Sequence, residues 1–145
     1  MRILVINGPN LNLLGYREKE IYGKETYSDL KKYIKNVSNK LDVTSKVVQT
    51  NYEGKIVDYL HYAFKKHYDG ICLNPGAYTH YSYAIYDAIK SINIPVVEVH
   101  LSDINTREDF RKVSVIRSAC VKTIMGKHFE GYQEAIERLV FILIV

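Results

Sequence analysis

Cysteine is scarce in this 145-residue chain, and the common signatures of metal, nucleotide and serine chemistry are missing. The two cysteines, Cys72 and Cys120, lie far apart and form no CxxC pair. Each sits in an apolar run, Gly70-Ile71-Cys72-Leu73 and Ala119-Cys120-Val121. Both are therefore expected as buried hydrophobes in a reducing, cytoplasmic setting. The five histidines show neither HExxH nor paired Cys/His spacing, which argues against a metal site. There is no GxGxxG and no GxxxxGKS/T, which disfavours dinucleotide folds and P-loops, and no GxSxG elbow. No apolar stretch approaches the length that spans a bilayer, so no membrane partner is expected. The opening run Ile3 to Ile6 is too short for a signal peptide and lacks a small-residue cleavage site. The net charge of +4 comes from lysines spread along the chain, with no basic block. Nucleic acid is therefore not an expected partner, whereas a mildly basic surface suits an anionic small molecule. Repeats, linkers and low-complexity segments are absent as well. The length fits one domain, residues 1–145, able to bury a core without disulfide or metal staples.

What the chain has instead is alternation. Short β-branched runs predict strands at Ile3 to Ile6, Val43 to Thr50, Gly70 to Asn74, Pro95 to His100 and Val121 to Met125. Between them lie helical periods. Leu30, Tyr33, Ile34, Val37 and Leu41 follow Thr26 and Asp29, which resemble a capping box. Ile56, Leu60, Ala63 and Phe64 share one face of a helix over Gly54 to Lys66. Further helices are expected over Tyr81 to Ser91 and from Gly131 onward, with a short turn opened by Asn105. The apolar run Leu139 to Val145 suits a buried final helix or, failing that, a subunit contact. Five strands alternating with helices imply right-handed crossovers and a doubly wound parallel sheet, helices on both faces. The preferred topology is flavodoxin-like, strand order 2-1-3-4-5. Its ligands bind outside the carboxyl ends of the strands, where the order reverses.

Polar residues collect at those ends. The first strand runs into Asn7-Gly8-Pro9-Asn10-Leu11-Asn12, the third into Asn74-Pro75-Gly76-Ala77-Tyr78-Thr79-His80, the fourth into Glu98-Val99-His100-Leu101-Ser102. Any one segment is explained by turn chemistry alone. Three at one sheet edge suggest a site. Glu98 and His100, two apart in a strand, point to the same face. A carboxylate that orients an imidazole suits a general acid, although a structural ion pair would give the same pattern. The connection Gly15 to Gly23 is polar, flanked by glycines and long for a βα loop, as lids are. Arg17 and Tyr22 can meet across it, and a nearby cation would favour a phenolate usable as a base. With 13 tyrosines in the chain, the loop alone is weak evidence. His61 and His67 are expected to be structural or exposed, and His128 has no assigned role.

Together these segments resemble the type II 3-dehydroquinate dehydratases. The matching pieces are NGPNLNLLG (7–15), REKEIYG (17–23), NPGAYTH (74–80), the Asp87 helix and IPVVEVHLSDINTREDFR (94–111). Residues 126–132 depart from a more glycine-rich family stretch, Tyr52 stands where the family often has His, and DINTRE departs from a commoner NxHxRE. The resemblance implies a hydro-lyase of the shikimate pathway. It would take 3-dehydroquinate to 3-dehydroshikimate by anti elimination through an enolate, without Schiff base, cofactor or metal. It implies Tyr22 as proton acceptor, Arg17 as transition-state stabiliser, Asn10 at the enolate, and His100 as proton donor oriented by Glu98. Asn74, His80, Leu101, Ser102 and Arg111 would bind substrate, and Asp87 would reach a neighbouring subunit's site. A homododecamer of four trimers is implied as well. Two other classes remain open at this point. A flavodoxin-like signalling or flavin-binding module would want an acidic pair or a Ser/Thr phosphate loop where Asn7, Pro9 and Asn74 stand. A nucleic-acid binder would want clustered Lys/Arg.

Overall fold

The computed structural model describes residues 1–16 and 18–145; Arg17 lies outside the described residues. Five strands, β1 (Arg2–Asn7), β2 (Thr44–Gln49), β3 (Gly70–Asn74), β4 (Val96–His100) and β5 (Lys122–Met125), form one parallel sheet in the order 2-1-3-4-5. The expected topology and strand set are thus observed. Along the inner strands the side chains alternate between two apolar layers. Ile3, Val5, Cys72, Val97 and Val99 face one layer, built with the helices α2 (Tyr27–Lys40) and α5 (Glu130–Ile144). Leu4, Ile6, Ile71, Leu73 and Val96 face the other, built with α3 (Glu53–Lys65) and α4 (Tyr83–Ser91). Strands covered on both sides need unbroken apolar runs, which is why β3 and β4 are buried at every position.

Local signals set most boundaries. Thr26 and Asp29 form a complete capping box: the Thr26 hydroxyl accepts from the Asp29 N–H (3.2 Å), and the Asp29 carboxylate accepts from the Thr26 N–H (2.9 Å). Three expectations are corrected. The turn after β4, Ile104–Thr106, is opened by Asp103, whose carboxylate accepts from the Asn105 N–H; Asn105 is inside the turn. Residues 76–80 form a 3₁₀ turn, so α4 starts at Tyr83, capped by the Ser82 hydroxyl, and Tyr81 precedes it. The final helix is only half buried. Leu139 is enclosed, but Phe141, Leu143, Ile144 and the following Val145 are exposed. Cys72 is buried as expected, Cys120 only partly, and no disulfide joins them. No helix among the described residues is long and apolar enough to cross a membrane.

The ends of β1 and β3 are locked together. Asn7 and Asn74 stand opposite each other in the register, and the Gly8 N–H donates to the Asn74 carbonyl at 2.7 Å. A Cβ on Gly8 would lie 2.8 Å from the Pro75 carbonyl carbon, so only glycine permits this approach. Thr26→Ala removes one half of the capping box and should lower unfolding free energy by about 1 kcal/mol. Urea unfolding followed by circular dichroism measures this; an unchanged midpoint would show that the box contributes nothing to stability.

Candidate active site

The loops that follow β1, β3 and β4 surround one cavity at the carboxyl edge of the sheet, at the point where strand order reverses. Pro9, Asn10 and Leu11 line it from the first loop, Asn74, Gly76, Ala77 and His80 from the second, and His100, Leu101 and Ser102 from the third. Tyr22, Ile104, Arg107 and Arg111 complete it. Among the described residues, two arginines and two histidines line this space, and no carboxylate or lysine does. Such a lining suits an anion.

Asn10 holds the left-handed conformation (φ 70°), which asparagine tolerates better than most residues, and its N–H donates to Asn51 Oδ1 at 3.0 Å. The Tyr78 hydroxyl donates to the Asn51 carbonyl at 2.8 Å, so Asn51 ties the first loop to the second. Asn74 is fixed from below. Its Nδ2 donates to the Tyr132 hydroxyl (2.9 Å), and that hydroxyl donates to Asn7 Oδ1 (2.6 Å). Its Oδ1 accepts from the Gly76 N–H (3.2 Å). Complete burial of Tyr132 pushes its phenol well above the ordinary range, so it serves as a neutral bridge.

His100 and Glu98 sit on the same face of β4, as the strand period requires. His100 Nε2 lies 2.5 Å from Glu98 Oε2, which leaves Nδ1 for the cavity. Glu98 is fully buried and stands beneath the lining. Burial acts to raise its pKa, but the bond and charge of His100 and the hydroxyls of Thr79 and Ser114 outweigh burial and hold it below 4.5. His80 is pushed below its ordinary value chiefly by burial, against the bond from Val113 and with the repulsion of His100 and Arg111. Its Nδ1 lies 2.7 Å from the Val113 carbonyl, so the neutral ring donates there and presents Nε2 as an acceptor.

Tyr22 ends the single helical turn α1 (Lys19–Tyr22) within the long first connection. Arg107 Nη1 donates to its hydroxyl at 3.2 Å and to Ser102 Oγ at 3.3 Å. Arg107 Nη2 also approaches Glu18 Oε1 at 3.9 Å, across the same connection. The Tyr22 bond is the first cause of a guanidinium pKa raised above its ordinary value. Arg107 is thus a cation beside the phenol that sequence reasoning did not single out; the expected approach of Arg17 to Tyr22 falls on a residue outside the described set. The only signal for Arg107 was position: it lies in the DINTRE stretch just past β4, five residues after Ser102. Arg111 lines the cavity as expected, and Glu108 holds its Nε at 2.5 Å. Asp87 does not; it is exposed on α4, outside this chain's own cavity. His61 and His67 are exposed, and His128 Nε2 lies 3.1 Å from Glu25 Oε1, away from the cavity lining.

A doubly wound α/β protein with an arginine-held phenol and a carboxylate-backed imidazole facing one anion-suited cleft is built as a flavodoxin-like enzyme. The model of the class II dehydroquinase family matches residues 1–140, and the chain belongs to that family. A 3-dehydroquinate dehydratase of Clostridium acetobutylicum is 58% identical over 139 residues, 96% of each chain. One from Caldicellulosiruptor saccharolyticus is 54% identical over 142 residues, 98% of each. Among solved structures, the type II dehydroquinase of Butyrivibrio crossotus superposes with a TM-score of 0.95 at 48% identity, covering 97% of both chains.

The low Glu98 pKa has a measurable consequence. A carboxyl whose folded pKa lies below its unfolded value adds stability that is fully present above about 4.5 and is lost as pH falls through the folded value. The stability difference between the parent and Glu98→Gln should therefore narrow on acidification from about pH 6 to about pH 3. A difference independent of pH, in thermal unfolding, would show that Glu98 carries no charge in the fold.

Proposed function

We propose that this protein removes water from 3-dehydroquinate to give 3-dehydroshikimate, by anti elimination through an enolate and without a Schiff base. The observation that carries the reading is the pairing of Tyr22 with Arg107 and of His100 with Glu98 around one cavity. The substrate is a carboxylate, and the arginines and the Leu101–Ser102 segment offer donors for it. Tyr22 as phenolate takes the proton beside the ketone. Arg107 donates a hydrogen bond to the Tyr22 hydroxyl, and the family resemblance assigns Arg17 to hold the phenolate. Electron density moves onto the ketone oxygen, and Asn10, which lines the cavity, is assigned by the family resemblance to stabilise the enolate through an ordered water. The enolate then expels the hydroxyl, which takes a proton from His100 Nδ1 and departs as water. Glu98 faces the imidazolium and keeps its proton on the cavity side. Passing a proton from Tyr22 back to His100 restores the starting state. The absence of lysine from the described lining supports a route without an imine. Asn74 and the Nε2 of His80 address the ring hydroxyls.

Asp87, exposed on α4, is assigned to a neighbour's site in a dodecamer of four trimers. The place of the activity is the shikimate route to aromatic amino acids, in the cytoplasm.

Purified protein with chelator should convert 3-dehydroquinate to the conjugated enone, followed by ultraviolet absorbance. No turnover from a folded sample rejects the function. Tyr22→Phe should lower kcat by about 10²–10⁴-fold, and Arg107→Leu by about 10²-fold, with the fold retained. Near-normal rates would mean that base and partner are misassigned. Borohydride added during turnover should trap no lysine adduct by mass spectrometry; a trapped adduct would contradict the enolate route.

A further inference from the structure

Glu98 is a carboxylate with no exposure to water, and hydroxyl side chains from three other segments surround it. The Thr79 hydroxyl, from the 3₁₀ turn after β3, donates to Glu98 Oε2 at 2.5 Å. The Ser114 hydroxyl lies 2.9 Å from Oε2 and 3.0 Å from Oε1. The Thr123 hydroxyl donates to Oε1 at 3.1 Å. Thr123 is the residue opposite Glu98 in the β4–β5 register, so its side chain emerges on the same face. Both carboxylate oxygens are engaged, each by at least one hydroxyl besides the imidazole on Oε2.

Ser114 reaches this spot because its segment is strapped to the substrate loop. The Val115 N–H donates to the Thr79 carbonyl at 2.8 Å, the Val113 carbonyl accepts from His80, and the Thr79 and Ser114 hydroxyls lie 3.0 Å apart. The same segment carries Arg111 three residues earlier. Proton donor, carboxylate and part of the cavity wall thus share one hydrogen-bonded cluster.

We propose that Ser114 and Thr123, together with Thr79, form a hydroxyl cradle that holds Glu98 ionised and aimed at His100, making them positioning residues for the proton donor. The proposal rests on the reading of His100 as that donor. Each hydroxyl donates to the charged form of the carboxyl, so each favours the anion over the acid. The remaining titratable neighbours are Cys120, whose partly buried thiol is pushed up and stays protonated, and His80 and Arg111 beyond His100. None of them donates to Glu98. When a cradle hydroxyl is removed, the buried carboxylate loses a donor that no water replaces, and it takes up a proton more readily.

The test uses full-length protein labelled with ¹³C at the glutamate carboxyls, the Glu98 signal being assigned by its loss in Glu98→Gln. In Ser114→Ala and in the isosteric Thr123→Val, the Glu98 titration should move to higher pH, with an ionisation constant lowered about threefold or more. In the same variants kcat should fall about 5- to 20-fold, with KM within about twofold, and the loss should grow toward the acidic side of the pH profile. Ser114→Thr and Thr123→Ser, which keep a hydroxyl, should restore titration and kcat together. A Glu98 titration that stays at the parent value in both variants overturns the cradle. A titration that moves while kcat stays at the parent value overturns His100 as the donor, and the positioning role with it. Loss of thermal stability alone, with titration and pH profile unmoved, assigns the hydroxyls to packing and also overturns the proposal.

Discussion

Burial on both faces of a parallel sheet is the constraint from which the rest of this molecule follows. Every side chain of an inner strand must enter one of two apolar layers, so polar groups are tolerated only where the strands end. The chain obeys this along β1 and β3, whose polar members Asn7 and Asn74 are the last residues of their strands. It breaks the rule once, at Glu98, two positions short of the end of β4. A charge in that place survives only with donors on both oxygens, and they come from three other parts of the chain. The polar edge and the cluster around Glu98 thus share one cause, and the cavity forms where they meet.

The site combines two ways of holding a reactive group. His100 is fixed by secondary structure: its neighbour in chemistry is its neighbour in the strand, and the sheet sets the distance. Tyr22 is fixed across the fold, on one turn of helix in a connection, and its partner Arg107 lies 85 residues away in sequence. The imidazole is therefore set by the sheet, and the phenol by how α1 packs in the first connection.

These differences also decide what was legible in the sequence. The sheet order, the capping box at Thr26 and the His100–Glu98 pair follow from local period and spacing, and they were readable. Arg107 was not, because nothing in its local pattern distinguishes a cation that points at a phenol from one that points at solvent. The roles of Ser114 and Thr123 were hidden for a related reason. One acts through strand register and the other through a strapped loop, and neither carries a motif. The exposed end of α5 misled because an apolar run states that a surface wants covering, not that the same chain covers it.

The bridge made by Tyr132 joins residues 125 positions apart, from the seventh residue to the start of the last helix. It bears on the order in which this protein is made. As the chain leaves the ribosome, β1, β3 and β4 can pair early, but the amides of Asn7 and Asn74 gain their shared hydroxyl only when α5 docks. The floor of the pocket is thus among the last parts to acquire its final hydrogen bonds, and an unfinished chain holds the cleft without its anchored asparagines.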